Sequence, residues 1–567
     1  MVIRKNSCLA ALAAIAMFQV TACGGSDDDA TLPQLPAATG ATLSSCTDLV
    51  TRLSFPNTSI ASSATVAAGT LTVAGTPIAA HCLVKGSMYS RVSTVDGNSY
   101  AIGFEMRLPN TWNGRFFYQA NGGIDGSVVA ATGPVDGGAG LTNALAMGFA
   151  VISSDAGHPG TLGPFFGLDP QARLDYGYQA SARLTPMAKA AIAVAYGKGP
   201  DRSYFGGCSN GGRHTLVAAS RLAQEYDGFL AGDPGTRLPL AAIANIAAIQ
   251  AYARIATDPE HPATAYTPAE QALVARAVLA KCDALDGAAD GLVQDTAACQ
   301  AAFDIGRDVP TCSGARDGNC LTTAQKQVIA QRFAGEPDGQ GRRIYASFPF
   351  DGGIGSGNTT MWNFTAPLQR DSGAVAFIWS VPPEARAGFD GTAFALHHGI
   401  DDMLARIRAT DSNFTEDAMA FMTPPSPSDL SALQRRGGKV LVYHGTSDPI
   451  FSSDDTTAWY EALARANGGD ARHFARFYRV PGMTHCSDGP ATDQFDMLSP
   501  LVDWVEQGRT PQRVIATARG AGNPAGVNAS VPKEWAPDRT RPLCPYPQVA
   551  RYDGRGNVES AESFSCR

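Results

Sequence analysis

The sequence predicts an α/β fold: a doubly wound, mostly parallel sheet carrying a large inserted lid. Strand-like and helical runs alternate from about 99 to 235, the rhythm breaks over 236–436, and it resumes from 437 onward. Strands alternating with helices argue for parallel strands joined by crossover helices.

"SYAIGFEMRLP" (99–109) alternates polar and apolar residues and reads as a strand. "GRFFYQANGG" (114–123) reads as a strand running into a glycine-rich loop, and "GFAVISSDAGH" (148–158) as a buried strand with a polar end. A helix is predicted over 181–197, then a short strand at 203–205, a helix over 212–226 and a strand in "GFLAGDPG" (228–235). Beyond 236 come helical stretches, two small disulfide loops and Gly/Pro-rich runs. Strands then return in "GKVLVYHGTSDP" (438–449) and "FARFYRVPGMTHC" (474–486), with helices over 456–466 and 495–508. No internal repeat is visible.

The 567 residues are too many for one simple core, and 44% apolar with 17% charged residues suits a globular body. A net charge of −8 with no basic block argues against a nucleic acid partner. The chain is expected to act as a monomer.

The N-terminus reads as processing signal. Arg4 and Lys5 precede an apolar run (8–20) too short to span a bilayer. "VTAC" (20–23) resembles a bacterial lipobox, which would make Cys23 a lipid anchor; an ordinary secretory signal cut near Ala22 is the alternative. Residues 1–22 are assigned as signal peptide, 23–45 as a flexible tether, 46–235 and 437–567 as the two parts of the α/β domain, and 236–436 as the lid. Export is expected, to the periplasm or as an outer-membrane lipoprotein of a Gram-negative bacterium.

In an oxidising compartment, the ten cysteines outside the signal suggest five disulfides. Nearness along the chain favours Cys46–Cys82, Cys282–Cys299, Cys312–Cys320 and Cys544–Cys566, which leaves Cys208 with Cys486. There is no CxxC and no Cys/His cluster with zinc spacing.

Gly207-Cys208-Ser209-Asn210-Gly211 matches G-x-S-x-G, the turn that lifts a nucleophilic serine above the sheet edge. A hydroxyl nucleophile needs a base and an orienting carboxylate, met in this fold in the chain order Ser, Asp, His. Asp448 follows the strand "KVLVYHG", and His485 follows "FARFYRV". Asp233 in "GDPG" is the runner-up acid. If Ser209 and His485 meet, their neighbours Cys208 and Cys486 are close enough to bridge. Cys208 is then a clamp and Ser209 the nucleophile; a cysteine hydrolase with Cys208 attacking is the competing reading.

The C-S-x-G-G turn, the distant H-C pair, the "HGTSDP" loop and the acidic loop 282–293 together resemble the tannase/feruloyl esterase family of secreted α/β-hydrolases, from about Cys46 to Cys566. The resemblance implies an α/β-hydrolase fold with Ser209, Asp448 and His485 as the triad and Cys208–Cys486 as a disulfide. It also implies an oxyanion hole from the backbone N–H groups of Gly123 and Asn210. It further implies structural calcium in the lid, held by Asp283, Asp286 and Asp290 with the carbonyls of Ala288 and Leu292. Three close carboxylates repel one another unless a hard cation joins them.

Relatives acting on terephthalate monoesters use a lid arginine and aromatic residues. Arg370, Trp362 and Phe451 are the matching candidates, while Ala374 stands where those relatives carry a phenylalanine. The expected activity is a secreted serine esterase for small aromatic-acid esters of feruloyl, galloyl or terephthalate monoester type. The alternative from another class is a calcium-stabilised lipoprotein that binds aromatic ligands without turnover.

Overall fold

The computed structural model describes residues 33–137, 140–356 and 358–567. The expected signal (1–22), the lipid-anchor candidate Cys23 and the start of the tether lie outside the described residues.

One nine-stranded sheet organises the chain. Its strands are β1 Thr58–Val66, β2 His81–Val92, β3 Ser99–Pro109, β4 Arg115–Gln119, β5 Ala150–Ser154, β6 Arg202–Cys208, β7 Gly228–Gly232, β8 Lys439–Gly445 and β9 Ala475–Val480. The spatial order is β9-β8-β7-β6-β4-β5-β3-β2-β1. From β5 across to β9 every pairing is parallel. The β1, β2 and β3 flank is antiparallel, including the β3–β5 pair. This is an α/β-hydrolase fold.

The parallel strands are apolar runs because helices cover both faces. Phe205, Phe229, Val440 and Phe477 point to one core, shared with Leu184 and Ile192 of α1 (Ala180–Tyr196) and Leu216 of α2 (Asn210–Arg221). Tyr204, Leu230, Leu441, Tyr443 and Tyr478 point to the other.

Register fixes where loops emerge. Cys208 pairs with Gly232, Gly232 with Tyr443, and Tyr443 with Tyr478. The carboxyl ends of β6 to β9 are therefore level, and their following loops open at one sheet edge.

Between β7 and β8 lies a helical lid. It includes α3 (Leu238–Ala253), α4 (Pro268–Cys282) and α5 (Thr323–Ala334). Thr267 and Glu270 cap α4 reciprocally, as the sequence T-x-x-E allows. A wide π-wound stretch covers Met361–Thr365, Pro367–Asp371 and Ala374–Trp379. After the lid come α6 (Ser453–Ala466) and α7 (Leu498–Gln507), the latter closing the second core with Leu501 and Trp504.

All five disulfides expected from spacing are present: Cys46–Cys82, Cys208–Cys486, Cys282–Cys299, Cys312–Cys320 and Cys544–Cys566. The flexible tether needs correction from residue 33 onward. Ala38 N–H donates to Glu506 Oε2 (2.9 Å), Thr39 N–H to Asp201 Oδ2 (2.8 Å), and Ala41–Thr42 pairs with Thr111–Trp112. The segment docks through scattered backbone and polar side-chain bonds, including Gln34 Nε2 to Val505 O (2.9 Å), with Leu35 against the second core, so it carries no apolar period. Among the described residues, no helix is long and apolar enough to cross a membrane.

Candidate active site

Ser209 sits between β6 and α2 with φ +65° and ψ −127°, a strained backbone for a serine. The turn is possible because its flanks are bare. A Cβ on Gly207 would stand 2.2 Å from Ala120 O, and one on Gly211 2.4 Å from the same oxygen. The Ser209 N–H donates to Gly232 O (3.0 Å), which fixes the turn against β7.

His485 Nε2 lies 2.8 Å from Ser209 Oγ, and His485 Nδ1 lies 2.7 Å from Asp448 Oδ2. Asp448 is anchored in turn, since its Oδ1 accepts from the N–H groups of Ile450 (2.9 Å) and Phe451 (3.1 Å). Burial alone would raise the Asp448 carboxyl, but His485 and His444 beside it hold it well below the usual carboxylate range. Pairing with an ionised Asp448 sets the His485 tautomer, with Nδ1 protonated and Nε2 free to accept from Ser209.

The runner-up acid, Asp233, does different work. Its Oδ2 accepts from Cys486 N–H (2.7 Å) and its Oδ1 from Gly445 N–H (2.6 Å), so it ties the histidine loop to the end of β8. Burial, partly offset by His444, pushes its carboxyl up to about 6. Cys208 is bonded to Cys486 with Cα atoms 6.1 Å apart, so it offers no thiol to attack with.

Gly123, at φ +67°, and Asn210 line one pocket with Ser209. A carboxylate that the sequence reading passed over couples these two segments. Asp125 Oδ2 accepts from Asn210 Nδ2 (2.9 Å) and faces His214 Nε2 (2.9 Å), while Arg213 Nε donates to Asn210 Oδ1 (2.7 Å). Asp125, Arg213 and His214 sit beside the G-x-S-x-G and ANGG motifs, and that adjacency was their only sequence signal.

Trp362 and Phe451 meet the His485 ring edge-on, at 4.9 and 5.3 Å between centroids. Arg370 lines the Ser209 pocket, its guanidinium 4.8 Å over Trp362 and paired with Asp371 Oδ1 (2.7 Å). Ala374, Leu238 and Ala242 complete the apolar wall. All three candidate substrate residues thus gather at Ser209 and His485, although Arg370 already has a carboxylate partner.

The acidic loop lies apart from this pocket. Asp283 Oδ1 accepts from Asp290 N–H (2.9 Å) and Asp286 Oδ1 from Ala288 N–H (3.0 Å), while Asp286 Oδ2 is buried without a partner. Burial, together with the charges of Asp290 and Asp283, pushes the Asp286 carboxyl up to about 7. An orphaned buried carboxylate oxygen beside two further carboxylates suits a hard cation. Asp290 also pairs with Arg541.

A serine, histidine and aspartate linked in this order at the carboxyl edge of such a sheet define a serine hydrolase of the α/β-hydrolase class. The family model "Tannase and feruloyl esterase" matches residues 82–567, and the chain belongs to that family. It is 40% identical over 523 residues to a mono(2-hydroxyethyl) terephthalate hydrolase from Piscinibacter sakaiensis, covering 86% of this chain and 84% of that one. It is 28% identical to a probable feruloyl esterase B-1 from Aspergillus fumigatus, covering 84% of each. The crystal structure of feruloyl esterase B from Aspergillus oryzae superposes with a TM-score of 0.73 at 24% identity, covering 92% of this chain and 99% of that one.

Proposed function

We propose that the protein is an exported serine esterase that cleaves small aromatic-acid esters through an acyl-enzyme on Ser209. The observation that carries the reading is the Ser209–His485–Asp448 chain, with contacts of 2.8 and 2.7 Å, at a strained turn.

Ser209 Oγ attacks the ester carbonyl while its proton passes to His485 Nε2. Asp448 holds Nδ1–H and stabilises the imidazolium. The N–H groups of Gly123 and Asn210 take the developing oxyanion. Collapse expels the alcohol, which leaves with the proton from Nε2. Water then attacks the acyl-enzyme, giving its proton to the same nitrogen, and the aromatic acid departs.

The acyl ring fits between Trp362, Phe451 and the Leu238–Ala242 wall. Arg370 offers a positive end for a substrate carrying a distal carboxylate, but Asp371 competes for it. Ala374 leaves that end open, so ferulate-type acids suit the pocket as well as a terephthalate monoester. Calcium is proposed as a structural ion on Asp283, Asp286 and Asp290, with the carbonyls of Ala288 and Leu292; its charge would offset the mutual repulsion of the carboxylates. The five disulfides support an oxidising compartment, and a lipid anchor at Cys23 and a Gram-negative periplasmic or outer-membrane location remain part of this proposal.

The test is a hydrolysis panel of methyl ferulate, methyl gallate and mono(2-hydroxyethyl) terephthalate, read by release of the acid. Turnover of at least one, lost in Ser209→Ala, is expected. Full activity in Ser209→Ala would overturn the reading.

A further inference from the structure

A second cavity, of about 80 Å³, lies between the lid and the loop that carries Asp448. Residues 446–449 form part of its wall, yet neither Ser209 nor His485 lines it. The rest is largely apolar and aromatic, with Tyr252, Tyr266, Val274, Phe333, Phe348 and Phe364, and carries the polar Gln271, Thr359 and Asn363. Its volume is several times the roughly 10–15 Å³ that one water needs by the same measure, so it has room for one small ring.

Arg332 of α5 also lines it, although the residue is only 5% exposed. Arg332 Nη2 donates to Asn245 Oδ1 (2.9 Å) and Pro449 O (2.8 Å), and the guanidinium rests 4.1 Å over the Phe348 ring. Arg332 Nη1 is buried without a hydrogen-bond partner, and so is Thr359 Oγ1 on the same cavity. Its nearest charged neighbour along the chain is the buried Glu336, four residues on, whose carboxyl burial raises against the lowering effect of the Arg332 charge. The Glu336 carboxylate lies close enough to feel this charge, but it leaves the Arg332 Nη1 N–H without an acceptor.

We propose that this cavity binds a small aromatic monocarboxylate as a second, non-catalytic ligand. Its ring would lie among the tyrosines and phenylalanines. Its carboxylate would accept from Arg332 Nη1 and Thr359 Oγ1. The two unpartnered groups call for a hydrogen-bond acceptor, whereas a phosphate dianion would lose its hydration against mostly apolar walls, with the Asp448 carboxylate on one side, without repayment. The site is wired to the reaction centre through a single side chain. Arg332 holds the carbonyl of Pro449, next to Asp448, and holds Asn245, which lines the Ser209 pocket. An aromatic acid is also what the proposed hydrolysis releases, but the cavity's own residues carry this inference whether or not that reaction is the right one.

Benzoate is the probe, titrated calorimetrically into Ser209→Ala protein and into the same protein carrying Arg332→Gln or Val274→Trp. Binding is expected in the parent and should weaken at least about tenfold when the charge-assisted bonds to Arg332 are lost. It should also weaken when a tryptophan fills the cavity, and benzyl alcohol, which lacks the carboxylate, should bind more weakly than benzoate. Failure of benzoate to bind, or binding unchanged in both variants, would overturn the site. Should the variants not fold, crystals of the wild-type protein soaked in benzoate decide: density within hydrogen-bond reach of Arg332 Nη1 supports it, and density in the Ser209 pocket alone, or nowhere, refutes it.

Discussion

His444 Nε2 stands 3.3 Å from Asp448 Oδ2, so the carboxylate that orients His485 is flanked by a second, wholly buried imidazole. His444 Nδ1 is held by Thr456 Oγ1 (2.8 Å), and Asp233 Oδ1 approaches Nε2 at 3.7 Å. Burial would lower the His444 pKa, but the bond to Asp448 and the charges of Asp233 and Asp448 raise it above 6.5.

That relationship makes stability depend on pH in a definite direction. His444 holds its proton more tightly folded than unfolded. Its contribution is therefore complete below about pH 6.5 and is lost as pH rises through the higher folded value. His444→Gln should lower Tm most at about pH 5.5 and least at about pH 9. A deficit that grows with pH would contradict the assignment. Activity should fall as well, because Asp448 loses a partner that keeps it ionised and in place.

Replacing both Cys208 and Cys486 by alanine should reduce activity and stability together. The bond joins the residues beside Ser209 and His485 across a separation of 278 residues. Closing so long a loop contributes roughly 5 kcal/mol in the chain-entropy account. Misplacing a reacting group by about 1 Å can cost roughly a hundredfold in rate. Thermal melts and kcat on one substrate check both halves; a variant with unchanged kcat would deny the clamp its positioning role.

Calcium removal should lower Tm with little change in the chemistry at temperatures where the protein stays folded. An ion bound by the folded state alone adds about 2.7 kcal/mol at a hundredfold excess over Kd. Asp286→Asn should give a protein whose Tm no longer responds to chelator. An unchanged Tm after verified metal removal from the wild type would reject the site.

Arg370→Ala should raise KM for the terephthalate monoester about tenfold and leave methyl ferulate nearly unaffected, since only the former brings a distal carboxylate. Asp371→Asn should act oppositely on the monoester, by releasing the guanidinium it now occupies. Equal effects of Arg370→Ala on both substrates would show that Arg370 supports the fold of the pocket and not its selectivity.

The residues that could be read from sequence are those placed by strong local patterns. Buried parallel strands such as "KVLVYHG" are continuous apolar runs, and their ends locate Ser209, Asp448 and His485. The antiparallel flank was less legible. In β2 a half-exposed pattern, Gly86 and an irregular register between Met88 and Arg91 blur the alternation. His444 hid inside a strand that otherwise looked like plain core; a histidine four residues before the acid was the available signal. Nothing in the local sequence of α5 marks Arg332 as buried, because its partners Asn245 and Pro449 lie far away in the chain. Asp233 is legible in "GDPG" only as the runner-up acid, because its two backbone partners come from β8 and the histidine loop, far away in the chain.

The central claim is that Ser209 is the nucleophile. The most direct measurement is peptide mass mapping after treatment with a fluorophosphonate, which phosphonylates an activated serine hydroxyl. One adduct per chain is predicted, on Ser209, forming together with loss of esterase activity and absent from Ser209→Ala. An adduct on another residue, or full inactivation with Ser209 unmodified, would contradict the account.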